Sequence, residues 1–222
     1  WAPEAGAQIS YSGGLIENVR SLGQAGQLGY SSSWNSSLQQ ARGWLTSGQS
    51  KPRCDIVQFG FHHPLFPLCD ESTMRKEIQL YQAAYAEAWG SSPAMSRGLF
   101  PSEMAFSTRM IQVLDELGID WVIVSSEHVS RACTNFPVIL GTGGINCDPP
   151  NKADQLNPPQ ANWYRDHIDR GCSPCSAVPF GCLPHRVQHV NPTTGTIYEV
   201  IAVPAEQALS WDNGYGTMGT GP

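Results

Sequence analysis

The chain has 222 residues, which is enough for one large domain or two small ones with a substantial hydrophobic core. Its charged fraction of 14% is below the usual value of about a quarter, and its formal charge of −6 comes without a basic stripe. Proteins that bind nucleic acid depend on such a basic surface, so we expect no nucleic-acid partner. The sequence contains no apolar run of about eighteen residues, and we therefore expect no membrane span.

Hydrophobic periodicity divides the first half of the chain into alternating strands and helices. The predicted elements, in chain order, are strand 8–12, helix 15–22, helix 36–45, strand 55–59, helix 74–88, strand 98–100, helix 110–117 and strand 119–124. Ser107 is the predicted N-cap of the last helix. The alternation predicts an α/β fold with a parallel sheet, either open or closed into a barrel.

The second half of the chain has a different composition. Residues 132–190 are rich in Pro, Gly, Asn and Cys, which predicts a long irregular insertion, and strand 198–203 follows it. The chain starts at Trp1 instead of Met and ends without a capping helix. We therefore expect a single catalytic-type domain, residues 1–222, that begins and ends inside a larger domain.

The chain is rich in cysteine for its size. The seven cysteines are Cys54, Cys69, Cys133, Cys147, Cys172, Cys175 and Cys182. Together with the low charge and the glycosylation sequon at Asn35, they predict disulfide bonds and an extracellular or periplasmic location. The Cys172–Cys182 cluster could instead bind zinc with His185 or His189. The chain lacks the second Cys-x-x-Cys pair that marks such sites, which favours disulfides.

Polar side chains follow four of the predicted strands. They are Ser12, the pair His62 and His63, Glu103, and the pair Glu127 and His128. The carboxyl ends of parallel strands lie at one edge of a sheet or barrel, where catalytic groups gather, so we expect these residues to lie together. Pro64 fixes the chain direction just after the two histidines.

Glu103 has two interpretations. The apolar neighbours Phe100, Met104 and Phe106 could position and partly desolvate it as a catalytic carboxylate. Alternatively, it only supports the first turn of the following helix, because carboxylates favour helix N-termini.

Two of these segments have a distinctive spacing. Residues 55–68 read DIVQFGFHHPLFPL, and residues 98–106 read GLFPSEMAF. They resemble two signature regions of glycoside hydrolase family 57: a strand that ends in an aromatic-His-Pro segment, and the segment that contains the nucleophilic glutamate. The resemblance extends from about Gln8 to Val124. Phe100 stands where the family has an indole, and Asp55 stands where it usually has a glutamate.

The resemblance implies a (β/α)7-type barrel, complete or incomplete in this chain, and retaining hydrolysis or transfer at the α-glucosidic bonds of a polysaccharide or oligosaccharide. It implies that Glu103 is the nucleophile and that His63 contacts the substrate. Asp212, in a Trp-Asp-Asn-Gly-Tyr-Gly segment, is the candidate acid/base, because aromatic surroundings could raise its pKa. Further candidate substrate contacts are His62, Trp121, His128 and Trp211. We expect no cofactor and no metal; self-association or further chain segments would complete the barrel.

Two alternatives stay open. A metal-dependent polysaccharide deacetylase would use an aspartate and two histidines, but the adjacent His62 and His63 should point in opposite directions on an extended segment. A catalytically silent carbohydrate-binding or filament-forming protein would keep the barrel, and the low charge and the cysteine-rich insertion favour it.

Overall fold

The computed structural model of the chain describes residues 4–48, 51–125 and 183–205. The chain divides into two compact units, residues 1–123 with 186–202 and residues 124–185 with 203–222. Nearly all of the described residues belong to the first unit. Most of the predicted insertion lies outside them, so the insertion and the single domain stay predictions.

The described residues form six strands and four helices. The strands are β1 (Ala7–Ser10), β2 (Cys54–Val57), β3 (Gly98–Leu99), β4 (Trp121–Ser125), β5 (His185–Val190) and β6 (Ile197–Ala205). The helices are α1 (Gly13–Ala25), α2 (Ser36–Arg42), α3 (Glu71–Trp89) and α4 (Met110–Glu116). Short 3₁₀ turns lie at Phe66–Leu68 and Ser102–Met104. Strand β5 lies in a segment that we predicted to be irregular; half-buried and exposed residues alternate along it, as in an ordinary half-buried strand.

The first four strands are parallel and follow one another in order. β1 pairs with β2, and β3 pairs with β4, both in parallel. A parallel bridge between Gln58 and Leu99 connects the two pairs, β6 lies beside β4, and β5 lies beside β6. Helices lie between consecutive parallel strands in the sequence. The α/β prediction is therefore confirmed, whereas closure into a barrel stays a prediction.

One core cluster joins the sheet to α1 and α3. Tyr81, Tyr85 and Trp89 recur on one face of α3 and are almost completely buried. They belong to one cluster with Ile16 of α1 and Ile56 of β2. Fully burying an aliphatic side chain such as Ile56 contributes about 1.5–3 kcal/mol. Helix α3 is thus packed against β2, and it fixes the loop that follows this strand.

A buried arginine of α2 binds the carboxyl end of α3. Arg42 is 2% exposed, and its guanidinium donates to the carbonyl oxygens of Trp89 and Ala94 at 3.0 and 3.4 Å. It also donates to the carbonyl of Pro93 and lies 5.0 Å from the ring centroid of Tyr85. The last carbonyl groups of a helix have no hydrogen-bond donor within the helix. Arg42 supplies donors to such carbonyl groups at the end of α3 and just after it.

The sequon residue Asn35 contributes to the same contact. Its side-chain amide donates to the carbonyl oxygen of Ala88, and so does that of Gln39. Asn35 is half-buried and precedes the first residue of α2. Its amide therefore serves helix packing, and the sequon gives no separate support for an extracellular location.

Two helix ends differ from the prediction. The hydroxyl of Ser107 does not cap α4: the helix begins at Met110, and this hydroxyl is buried without a hydrogen-bond partner among the described residues. The backbone carbonyl of Ser107 accepts the N–H of Met110 instead. Helix α2 ends at Arg42, because residues 44–46 leave it to pair with residues 51–53.

Two further expectations concern the disulfide bonds and the absence of a membrane span. Cys54 and Cys69 are free thiols, and the other five cysteines lie outside the described residues, so disulfides among those five stay a prediction. In the ranges that the structure describes, no helix combines the length and the apolar character that a membrane span requires.

Arg42→Gln should lower the free energy of unfolding by about 2–4 kcal/mol, because it removes charged donors from buried carbonyl oxygens. Arg20→Gln is the matched control: Arg20 pairs with Glu17 and Glu87 in a partly exposed setting, where such pairs contribute less than about 1 kcal/mol. Urea denaturation of both variants measures the difference. Equal losses would contradict the assigned role of Arg42.

Candidate active site

The candidate site lies at the carboxyl edge of the parallel strands, where the loops after β1, β2 and β3 meet. The backbone N–H of Gly14 donates to the carbonyl oxygen of Phe61 at 2.8 Å, which joins the first two loops. The rings of Phe59 and Phe100 lie 5.8 Å apart, which joins the ends of β2 and β3. The structure thus brings three of the predicted strand ends together. The fourth strand, β4, ends at Ser125 in the second unit, and the polar pair predicted after it, Glu127 and His128, lies outside the described residues.

The loop after β1 supports the loop after β2. Ser12 is the N-cap of α1, and its hydroxyl accepts the N–H of Leu15 at 3.3 Å. The next residue, Gly13, leaves room for the side chain of Phe61: a Cβ atom at position 13 would lie 2.2 Å from the Phe61 ring. The placement of Phe61, and of the histidine after it, therefore depends on glycine at position 13.

His62 is held by a buried carboxylate on α3. Its backbone N–H donates to Oε2 of Glu77 at 2.8 Å, and its ring Nδ1 lies 2.7 Å from Oε1 of the same residue. The side chain of Glu77 is 11% exposed, whereas that of His62 is 65% exposed. Glu77 is not among the predicted site residues. The signal that could have identified it is a carboxylate inside the apolar stripe of α3, between Met74 and Ile78.

His63 has different contacts from its neighbour. Its imidazole stacks on the ring of Phe59 at 5.0 Å with an interplanar angle of 14°. The ring of His62 instead meets Phe61 edge-on, at 4.7 Å. The two imidazoles therefore contact different partners, as expected for adjacent residues, and each could present a ring nitrogen to a ligand.

Glu103 lies in the 3₁₀ turn after β3. It is exposed, and within the described ranges its carboxylate makes no hydrogen bond or ion pair with another side chain. The expectation that Phe100, Met104 and Phe106 partly desolvate Glu103 is therefore wrong within the described residues. The helix-support interpretation has no basis either, since α4 begins only at Met110, after Arg109 as its N-cap. What the structure leaves is a carboxylate that is accessible to a ligand.

Glu103 and His63 share an uncommon backbone conformation. Their φ angles are 57° and 61°, in the left-handed region that few non-glycine residues adopt. Such a conformation costs about 1–3 kcal/mol and is found most often at functional sites. Among the described residues the other non-glycine positions with positive φ are Met104, next to Glu103, and Leu28, in the turn after α1. Three of these four residues thus lie in the loops of this edge of the sheet, which supports a functional role for it.

Trp121 lies away from this edge. It is the first residue of β4 and is paired with Gly98, the first residue of β3, so it is at the amino end of the strands. There it lines a cavity of about 680 Å³ together with Asp55, Gln8 and Arg97. Its predicted substrate contact would therefore lie at the opposite end of the strands from Glu103, and we do not include it in the site.

The described ranges hold no group of three His, Cys, Asp or Glu side chains that could bind a metal ion. His185 and His189, either of which could supply the further ligand in the alternative zinc site of the cysteine cluster, lie on strand β5. Four residues of extended chain separate them by about 13 Å, so the two cannot bind one metal ion together.

Several predicted site residues lie outside the described residues. They are Asp212, Trp211, His128 and Glu127, with the cysteine cluster 172–182. In the described residues, the candidate site therefore consists of the loops with His62, His63 and Glu103, and of Glu77 behind them.

Comparison with known proteins identifies the family. Residues 5–146, well over half of the chain, match glycosyl hydrolase family 57. The chain belongs to glycosyl hydrolase family 57. The resemblance in the segments around His63 and Glu103 is thereby confirmed.

Two relatives show how this family 57 chain compares with longer proteins. It is 32% identical over 220 residues to a protein named alpha-amylase from Niallia circulans, spanning 96% of this chain but 17% of that protein. It matches the crystal structure of 4-alpha-glucanotransferase from Thermococcus litoralis with a TM-score of 0.54 and 14% identity, over 96% of this chain and 23% of that chain. At this identity, the second match shows the fold alone.

Gly13→Ala should destabilise the family 57 chain by about 1–3 kcal/mol, because the added methyl group would overlap the ring of Phe61. Gly14→Ala is the adjacent control: its Cβ would meet only the carbonyl oxygen of Phe61, at 3.5 Å. Its effect on the unfolding free energy should stay within about 1 kcal/mol. Thermal denaturation of both variants measures the contrast, and similar midpoints would refute the packing role of Gly13.

The thiol of Cys69 offers a test of the charge on Glu77. Burial raises the pKa of Cys69, and the charges of Glu77 and Asp70 raise it further. Because the thiolate is the reactive form, Cys69 should react with iodoacetamide at about pH 8 more slowly than an unperturbed cysteine. Glu77→Gln should speed this reaction, and Glu87→Gln, on the exposed face of α3, should not. Peptide-resolved mass spectrometry measures both rates; equal rates would show that Glu77 carries no charge near the thiol.

Proposed function

We propose that this chain forms part of the active site of a retaining hydrolase or transferase acting on the α-glucosidic bonds of a polysaccharide or oligosaccharide. Its membership of family 57 supports this, as does the name of the 32% identical relative, an alpha-amylase. The observation that carries the proposal is the exposed carboxylate of Glu103, held in left-handed backbone just after β3. We assign Glu103 as the nucleophile.

Retention of anomeric configuration requires two carboxyl groups about 5–5.5 Å apart. The carboxylate of Glu103 attacks the anomeric carbon, and the bond between that carbon and the leaving oxygen breaks. A second carboxyl group gives its proton to the leaving oxygen, then takes one from the water or sugar hydroxyl that displaces Glu103. We propose Asp212, which lies outside the described residues, for this second role.

Other groups of the chain hold the substrate in this proposal. His62 and His63 are exposed after β2 and can form hydrogen bonds with sugar hydroxyls. His128 and Trp211, both outside the described residues, are proposed as further contacts, the indole as a platform for a sugar ring. No cofactor is required, because both carboxyl groups regenerate their starting state.

We also propose a closed barrel and an oxidising location for this chain. Further strands close the four parallel strands into a (β/α)7-type barrel, supplied by this chain, by further segments or by self-association. Four of the five cysteines outside the described residues form two disulfides, and the protein is extracellular or periplasmic. The free thiols of Cys54 and Cys69 are compatible with either redox setting.

Glu103→Ala should abolish turnover of maltooligosaccharides and soluble starch while leaving the fold intact, because the nucleophile is missing. Adding azide should restore cleavage and give a glucosyl azide of inverted configuration, since azide enters from the face that Glu103 occupied. Product analysis by NMR measures the configuration. Glu116→Gln, a change of a surface glutamate that pairs with Arg75, is the control and should keep full activity.

Two outcomes would contradict this assignment. Retained turnover in Glu103→Ala would remove the catalytic role of this residue. A wild-type chain that binds maltooligosaccharides without cleaving them would instead favour the silent carbohydrate-binding alternative, in which the site keeps its shape without a second carboxyl group.

A further inference from the structure

Glu77 is a carboxylate in an unusual position. It lies on the buried face of α3, and only 8% of the residue is exposed. Removing a carboxylate from water is costly unless hydrogen bonds satisfy it. Both of the hydrogen bonds that it receives from the described residues come from His62, one from the backbone and one from the ring.

These two bonds determine which ring nitrogen of His62 carries the proton. An ionised carboxylate only accepts hydrogen bonds, so Nδ1, at 2.7 Å from Oε1, must be the donor. In the neutral imidazole the other nitrogen, Nε2, is then an acceptor. The ring belongs to a side chain that is 65% exposed, and Phe61 packs edge-on against it. An ionised Glu77 would therefore hold the neutral ring of His62 in one orientation and one tautomer, with its other nitrogen open to a ligand.

We propose that Glu77 is a positioning residue for glucan binding: it holds His62 in the Nδ1–H tautomer so that Nε2 accepts a hydrogen bond from a sugar hydroxyl. The inference rests on the proposed function for its ligand, and on the Glu77–His62 geometry for its mechanism. A ring fixed in advance loses little conformational freedom on binding, which favours the bound state. Buried carboxylates orient metal-binding and catalytic histidines in the same way.

The competing explanation is that Glu77 only anchors the loop after β2 through the backbone N–H. Glu77→Gln separates the two explanations, because the amide oxygen can still accept the backbone N–H. The amide nitrogen can only donate, so Nδ1 must become an acceptor and the proton must move to Nε2. The substitution thus keeps the anchor and reverses the tautomer.

The first measurement is ¹⁵N NMR of the imidazoles in the full chain, with the His62 signals assigned by comparison with His62→Gln. The wild type should show the Nδ1–H tautomer, and Glu77→Gln should show the Nε2–H tautomer. Glu87→Gln, which alters the exposed face of α3, should leave the His62 signals unchanged. An Nε2–H tautomer in the wild type, or no change in Glu77→Gln, would overturn the proposal.

The second measurement is glucan turnover with maltoheptaose. Glu77→Gln should raise KM about tenfold with a smaller change in kcat, while its melting temperature stays close to that of the wild type. In a double-mutant cycle, His62→Ala with Glu77→Gln should be no worse than His62→Ala alone, because Glu77 acts through His62. Additive losses would overturn the positioning role.

The two parts of the inference can fail separately. A wild-type chain that neither cleaves nor binds maltoheptaose would overturn the proposed function, and with it the sugar hydroxyl as the partner of Nε2. The tautomer measurement needs no substrate and would still decide whether Glu77 positions the ring.

Discussion

The continuity of the sheet depends on one buried residue, Gln58. Its backbone N–H donates to Gly98, and its carbonyl accepts from Phe100, both at 2.9 Å, which connects β2 with β3. Its side-chain amide donates to the carbonyl of Ser96 at 2.7 Å and accepts from Gln82 of α3 at 3.0 Å. A buried amide with its bonds satisfied rigidifies its surroundings and specifies one arrangement. The register of β2 against β3, and with it the relative position of the loops that follow these strands, is therefore fixed before any ligand binds.

Much of this architecture could be predicted from the sequence. The order of strands and helices was predicted correctly from the apolar stripe of α3 and from the short apolar runs before Gly60 and Pro101. Hydrophobic periodicity and the positions of Gly and Pro are local properties of a sequence, so they can be read without the fold. The common edge for His63 and Glu103 followed from that order, since parallel strands share their carboxyl ends. The resemblance in the same two segments then led to the family.

The rest depended on contacts between distant parts of the chain. Glu77 receives its bonds from a loop fifteen residues earlier in the sequence, and nothing in a helix pattern states which loop lies beside it. Trp121 was placed in the correct strand. Which end of the sheet it occupies depends on its pairing with Gly98, and the sequence does not show that pairing. The hydroxyl of Ser107 was assigned to a helix end that in fact lies further along the chain. Helix boundaries are the least predictable feature of a pattern.

The left-handed backbone at His63 and Glu103 has a consequence for the evolution of this site. Glycine and asparagine adopt that conformation at lower cost than histidine or glutamate. Variants selected only for thermal resistance should therefore accumulate glycine or asparagine at positions 63 and 103. Selection for growth on the substrate should instead restore histidine and glutamate. Opposite preferences under the two regimes would mark these positions as places where stability has been given up for chemistry.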